Sequence, residues 1–208
     1  MIPIALNPGR GRLALAGAGA LALERLRALR AAGAAQVAVF SDAPEAGLAR
    51  AAGAHLRRRL PEADELAALH ALWIVDLPPE TAEPLARAAQ SAGVLVNYMD
   101  RPEFCDFHAV AEIRRNNLLL TVSTGGAAPG LAGLIRQHLA ACFGPEWAER
   151  TEEVARLREL WRRAGISPAE RKRRIAALAA EQGWLPDLPL PGPALPGPAL
   201  SCPAPEAR

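Results

Sequence analysis

The apolar run Leu95–Met99, LVNYM, has the residues of a buried strand interrupted by Asn97, and it stops on Asp100, just ahead of Arg101 and Pro102. In open sheets of parallel strands, ligands lie beyond the carboxyl ends of the strands, so a carboxylate there faces a bound molecule and can take a proton from it. Capping the following turn is the other use of Asp100. A second constellation lies near the N-terminus. Gly17-Ala18-Gly19-Ala20-Leu21-Ala22 follows the run RLALA and opens a helical stretch, the context of a dinucleotide-binding turn. The first glycine permits a tight turn, and the second lets backbone N–H groups approach a pyrophosphate at the positive helix end. The small Ala22 in the third place lets helix pack on strand. Asp42 stands about 25 residues after Gly17 at the end of the next apolar run, where it can accept ribose hydroxyls and favour NAD over NADP. A close-packed turn without ligand is the alternative for this motif.

Ser123-Thr124-Gly125-Gly126 also ends a strand-like run ahead of a helix, so hydroxyls and glycine N–H groups could converge on an anion such as a substrate carboxylate. An ordinary N-cap and turn accounts for the same residues. His108 could exchange protons near Asp100, although beside Phe107 a structural role is the simpler account. Glu103 and Asp106 read as solvated loop charges, and RKRR at 171–174 as a solvated helix face rather than a phosphate patch.

The elements that must position these residues alternate along the chain. RLALA, a helix closing on Gly33, and QVAVF give a β-α-β pattern over residues 12–42. A helix over 44–53, a polar edge strand HLRRR, a buried strand ALWIVDL, a helix over 79–93 closing on Gly93, and VLVNYM continue it. The spacing predicts an α/β, Rossmann-like parallel sheet through about residue 110. Beyond it come a strand NLLLTV, a helix entered through Pro129, and helices over 146–182 broken at AGISPAE, with Ser167 and Glu170 in capping-box positions. The organisation expected is 1–110 Rossmann domain, 111–145 dimerisation segment, 146–185 helical module and 186–208 Pro-rich disordered tail.

Composition narrows the classes. The chain has 208 residues, half of them hydrophobic, with a formal charge of +2, too small to imply a nucleic-acid partner. No apolar stretch reaches the roughly 18 residues of a membrane span, and no signal core follows the N-terminus, so a cytoplasmic location is expected. Cys105, Cys142 and Cys202 show no CxxC spacing, which argues against a disulfide framework or a resident metal site.

Together GAGALA, VNYMDRPEFCDFH and LLLTVSTGGAAPGLAGLIRQHL resemble the siroheme synthase N-terminal family of precorrin-2 dehydrogenases and sirohydrochlorin ferrochelatases, over about residues 2–180. The resemblance implies a homodimer with a Rossmann domain, a dimerisation segment and a helical module. It also implies NAD-dependent oxidation of precorrin-2, with ferrous iron insertion as a second activity in many members. By the same likeness Asp100 matches the residue implicated in the chemistry. Ala20 and Leu21 fall where the glycine turn meets NAD, and Asp42 with Ala43 at a second NAD-contacting segment. Asn97, Ser123, Thr124, Gly125 and Gly126 match residues around the tetrapyrrole cleft. Four positions depart from the family pattern. Leu77 follows Asp76 where a polar contact near the cofactor is usual, Ala127 and Ala128 alter the turn before Pro129, and Val110 replaces a proline. These departures leave room for a second reading, a catalytically weakened Rossmann protein that binds NAD or a tetrapyrrole as sensor or carrier.

Overall fold

A computed structural model describes residues 2–185, so the Pro-rich segment 186–208 lies outside the described residues. Two compact units are present: one takes the described residues up to Ala109 with Gly125–Ala127, the other Val110–Thr124 and the described residues from Ala128 onward.

The first unit is a five-stranded parallel sheet of β1 (Leu13–Gly17), β2 (Ala38–Phe40), β3 (Leu56–Arg57), β4 (Ala71–Val75) and β5 (Leu95–Tyr98), in the order β3-β2-β1-β4-β5. Helices α1 (Ala20–Ala31), α2 (Ala46–Ala52), α3 (Ala63–Ala67) and α4 (Pro79–Ser91) are the crossovers that parallel strands require. β1 and β4 are wholly buried, which is why they read as unbroken apolar runs instead of alternating ones. Their side chains still alternate between the two faces. Ala14, Ala16, Leu72 and Ile74 join Leu85 and Ala86 of α4 on one face. Leu13, Leu15, Trp73 and Val75 join Leu26 of α1 and Leu48 of α2 on the other. Each fully buried Leu, Ile or Val contributes roughly 1.5–3 kcal/mol. α4 ends as expected, with Gly93 at φ +79° one residue past its last turn. HLRRR is an edge strand of only two residues.

In the second unit β6 (Ala111–Arg115) and β7 (Leu118–Val122) form an antiparallel hairpin, with Asn116 at φ +51° in its two-residue turn. Helix α5 (Pro129–Cys142) packs on the hairpin, and Arg115 Nε donates to Phe143 O at 3.0 Å just past its end. α6 (Trp147–Arg163) and α7 (Pro168–Glu181) follow. Half of the capping box forms: Ser167 Oγ accepts Glu170 N at 3.2 Å, while the Glu170 carboxylate turns to Arg174 at 2.9 Å.

Candidate functional site

The glycine turn is built by close packing. A Cβ on Gly17 would lie 2.8 Å from Ala22 Cβ and would collide outright with Val75 O, so Gly17 is small because β4 and α1 press on it from two sides. Gly19 is the N-cap of α1 and provides no side-chain cap, which leaves the first amides of a 12-residue helix pointing out of the turn. Ala20 and Leu21 are exposed there. Asp42 and Ala43 are exposed on the link from β2 to α2, and Glu45 N donates to Ala18 O at 2.9 Å, fastening that link to the glycine turn. Ser41, which precedes them, is fully buried, and among the described residues its hydroxyl has no hydrogen-bond partner. These residues therefore share one end of the sheet.

Asp76 was the residue to find beside them. It follows β4 directly, at φ +54°, and its Oδ2 accepts the amide of Ala22 at 3.1 Å. The polar group next to Leu77 thus bonds within the protein, from strand to helix end. The signal was in the sequence, since Asp76 ends ALWIV as Asp100 ends LVNYM.

Asp100 is exposed at φ +61°, a left-handed conformation that aspartate tolerates better than most residues. No hydrogen bond from the described residues reaches its carboxylate, so it does not cap the turn that follows. That turn is pinned by its neighbours. Arg101 pairs with Glu103 at 2.6 Å and with Glu83 of α4 at 2.8 Å, and its guanidinium lies over the rings of Tyr98 and Phe104. The bonds to Glu103 and then Glu83 hold Arg101 above its usual range, and Arg101 in turn holds Glu103 below the usual carboxylate range. Asp106 is an exposed loop charge as expected, and its Oδ2 also accepts Val96 N at 2.9 Å and Gln90 Nε2 at 3.2 Å. Glu103 is likewise paired. Asn97 is buried, and its Nδ2 donates to Phe107 O at 2.9 Å, so its amide secures the returning loop. Phe107 packs edge-on against Trp73 at 5.1 Å, with His108 half-buried next to it. Burial pushes the Cys105 thiol up, and Sγ donates to Tyr98 O at 3.1 Å.

Ser123 and Thr124 belong to the second unit. Thr124 Oγ1 accepts Ala128 N at 3.1 Å, which is the turn-forming alternative for this hydroxyl. Gly125 and Gly126 take φ of +66° and +86°, in the left-handed region that favours glycine. Among the described residues no three His, Cys, Asp or Glu are grouped to hold a metal, and no helix is long and apolar enough to cross a membrane.

The family described as "Putative NAD(P)-binding" matches residues 4–111, the stretch that carries the glycine turn, Asp42 and Asp100. The chain belongs to that family. Siroheme synthase of Methylococcus capsulatus is 32% identical over 161 residues, 76% of this chain and 34% of that protein. Siroheme synthase of Pseudomonas entomophila is 33% identical over 151 residues, 72% of this chain and 33% of that protein. The chain spans about a third of the length of these curated relatives, and the siroheme synthase N-terminal resemblance read from the sequence holds over that part. A solved structure titled "SirC, precorrin-2 dehydrogenase" superposes with a TM-score of 0.70 over 89% of this chain and 92% of that one. At 18% identity, that likeness is one of fold. The glycine turn, the first amides of α1 and Asp42 suit a dinucleotide, with the Asp76 carboxylate bonded inside the cradle.

Proposed function

We propose that this protein is an NAD-dependent precorrin-2 dehydrogenase, yielding sirohydrochlorin. The observation that carries the reading is Asp100, an exposed carboxylate with no partner among the described residues at the carboxyl end of β5, in a chain whose matched family is described as NAD(P)-binding. Gly17, Gly19, Ala20 and Leu21 hold the dinucleotide's phosphates, and Asp42 with Ala43 its ribose. NAD supplies the hydride acceptor. Asp100 removes the proton that must leave the macrocycle as hydride departs, from an exposed position just past the end of β5. Ser123, Thr124, Gly125 and Gly126 and neighbouring arginines hold the tetrapyrrole's carboxylates. Ferrous iron insertion into the product is a second activity within this reading, with iron as substrate.

A homodimer fits the exposed apolar side chains Leu131, Leu134 and Ile135 on α5 and Leu119 on β7, which an isologous contact would cover. Leu134→Asp should then halve the mass seen by light scattering. A cytoplasmic location accords with this chemistry.

Anaerobic incubation with precorrin-2 and NAD tests the reading. Sirohydrochlorin and NADH should rise together. An immediate shift of the tetrapyrrole spectrum without NADH would instead mark a binder that acts as sensor or carrier, a reading favoured by the Asp76 carboxylate at the helix end.

A further inference from the structure

Helix α1 presents its positive end at the glycine turn, and in a dinucleotide site that end receives a pyrophosphate. Here the position already has an anion. Asp76 Oδ2 takes the Ala22 amide at 3.1 Å, within the first turn of the helix. The same oxygen lies 2.8 Å from where a Cβ of Gly19 would stand, so it fills the space that this glycine leaves open for a close approach. Glu45 Oε1 lies 3.5 Å from the same point, and Glu45 is fastened to the turn through Ala18. An incoming pyrophosphate thus meets two carboxylates close to Gly19 and a helix amide already engaged. α1 has no acidic residue of its own in its first turn, which makes Asp76 the group that complements its dipole.

We infer that Asp76 is the affinity-determining residue of the dinucleotide turn. Its carboxylate competes with the cofactor's pyrophosphate for the end of α1, and a dinucleotide binds by displacing it. The inference rests on the NAD reading above and deepens it. The Asp76 side chain can be displaced because it is exposed and held through one oxygen, whereas the backbone that carries it is fixed by the end of β4. Turnover therefore runs at cofactor concentrations above those that an unobstructed turn would need.

Asp76→Asn separates charge from shape. Asparagine retains an acceptor for Ala22 and is among the residues most at ease at φ +54°, so the variant should fold, and far-UV circular dichroism checks that it does. Asp76→Ser provides a second neutral variant with a smaller side chain. Titration calorimetry with NAD should give a Kd lower by about tenfold or more in Asp76→Asn, the size expected when one unit charge is removed beside a diphosphate. The ratio of the two Kd values should shrink as NaCl rises from about 50 to about 500 mM, because salt screens the repulsion. Equal Kd values in parent and both variants would overturn the inference and leave the NAD reading standing. Weaker NAD binding in the variants would overturn it too, by showing that Asp76 bonds to the cofactor. If neither the parent nor the folded variants bind NAD, both the inference and the reading beneath it fail.

Discussion

Asp106 satisfies both backbone groups of Val96: its carboxylate Oδ2 accepts the Val96 amide at 2.9 Å, and its own amide donates to the Val96 carbonyl at 2.8 Å. β5 is the last strand of its sheet, so these groups of Val96 point away from β4 toward an open edge. The returning loop closes that edge. Cys105 does the same for Tyr98 O, and the loop so fixed carries Asp100 at its other end.

Asp106→Ala should therefore leave the N–H of the fully buried Val96 without a partner. The expected cost is about 1–3 kcal/mol in urea unfolding, with faster hydrogen exchange at Val96. Asp106→Asn keeps an acceptor and should lose less. Equal stability of parent and Ala variant would mean that water replaces the carboxylate.

Asp100→Asn should preserve fold and NAD binding while precorrin-2 oxidation falls by about 10² to 10⁴, the range for a positioned base. Because Asp100 caps nothing among the described residues, its stability role there is confined to its backbone. Asp100→Ala should lose about 1 kcal/mol through the left-handed φ, and Asp100→Gly nearly nothing, with both inactive. Parental turnover in Asp100→Asn would remove Asp100 from the chemistry.

The two glycines of the turn should separate. Gly17→Ala drives a methyl into Val75 O and Ala22, both held by the sheet and helix, and should cost at least about 2 kcal/mol. Gly19→Ala meets the movable carboxylate of Asp76 and should stay within about 1 kcal/mol of the parent while NAD affinity falls. Thermal melts with cofactor titrations read both. The reverse ranking of stabilities would show that Gly19 is the packing glycine.

At the start of α3, Arg59 and the Glu62 amide hold the Glu65 carboxyl down at about 2. A carboxyl depressed in the folded state stabilises fully above its ordinary 4.5, and the contribution is lost as pH falls toward 2. Since the pair is solvent-exposed, Glu65→Gln should cost under about 1 kcal/mol at neutral pH. The gap between parent and variant should close between pH 4.5 and 2. A gap that widened on acidification would reverse the sign of this contact.

Much of the sheet was legible because buried parallel strands are written as continuous apolar runs. ALWIV and LALAG need no partner to be recognised. β6 was not read, because AEIRR buries only Ile113 and spends its other positions on charges such as Glu112 and Arg114, which pair with each other at 2.9 Å. α3 is too short to show a helical period. At the site, the glycine turn and Asp100 follow local rules of spacing and strand ends. The tasks of Asp106 and Asn97 depend on a loop folding back ten residues to β5, and those of Asp76 on two strands and a helix meeting, which no local pattern encodes.

The strand order also sets a schedule for the nascent chain. β4 is the neighbour of β1 on one side of the sheet, and the Arg12 amide beside them bonds to His70 Nδ1 across 58 residues. Such a contact closes late, since the loop entropy is lost before the pairing returns it. The β6–β7 hairpin turns within two residues and can form as soon as it is made. On the ribosome, the centre of the sheet must wait for β4 to emerge, with β1 and β2 already outside and their apolar faces uncovered. That interval, rather than the finished fold, is where this chain is most exposed to aggregation.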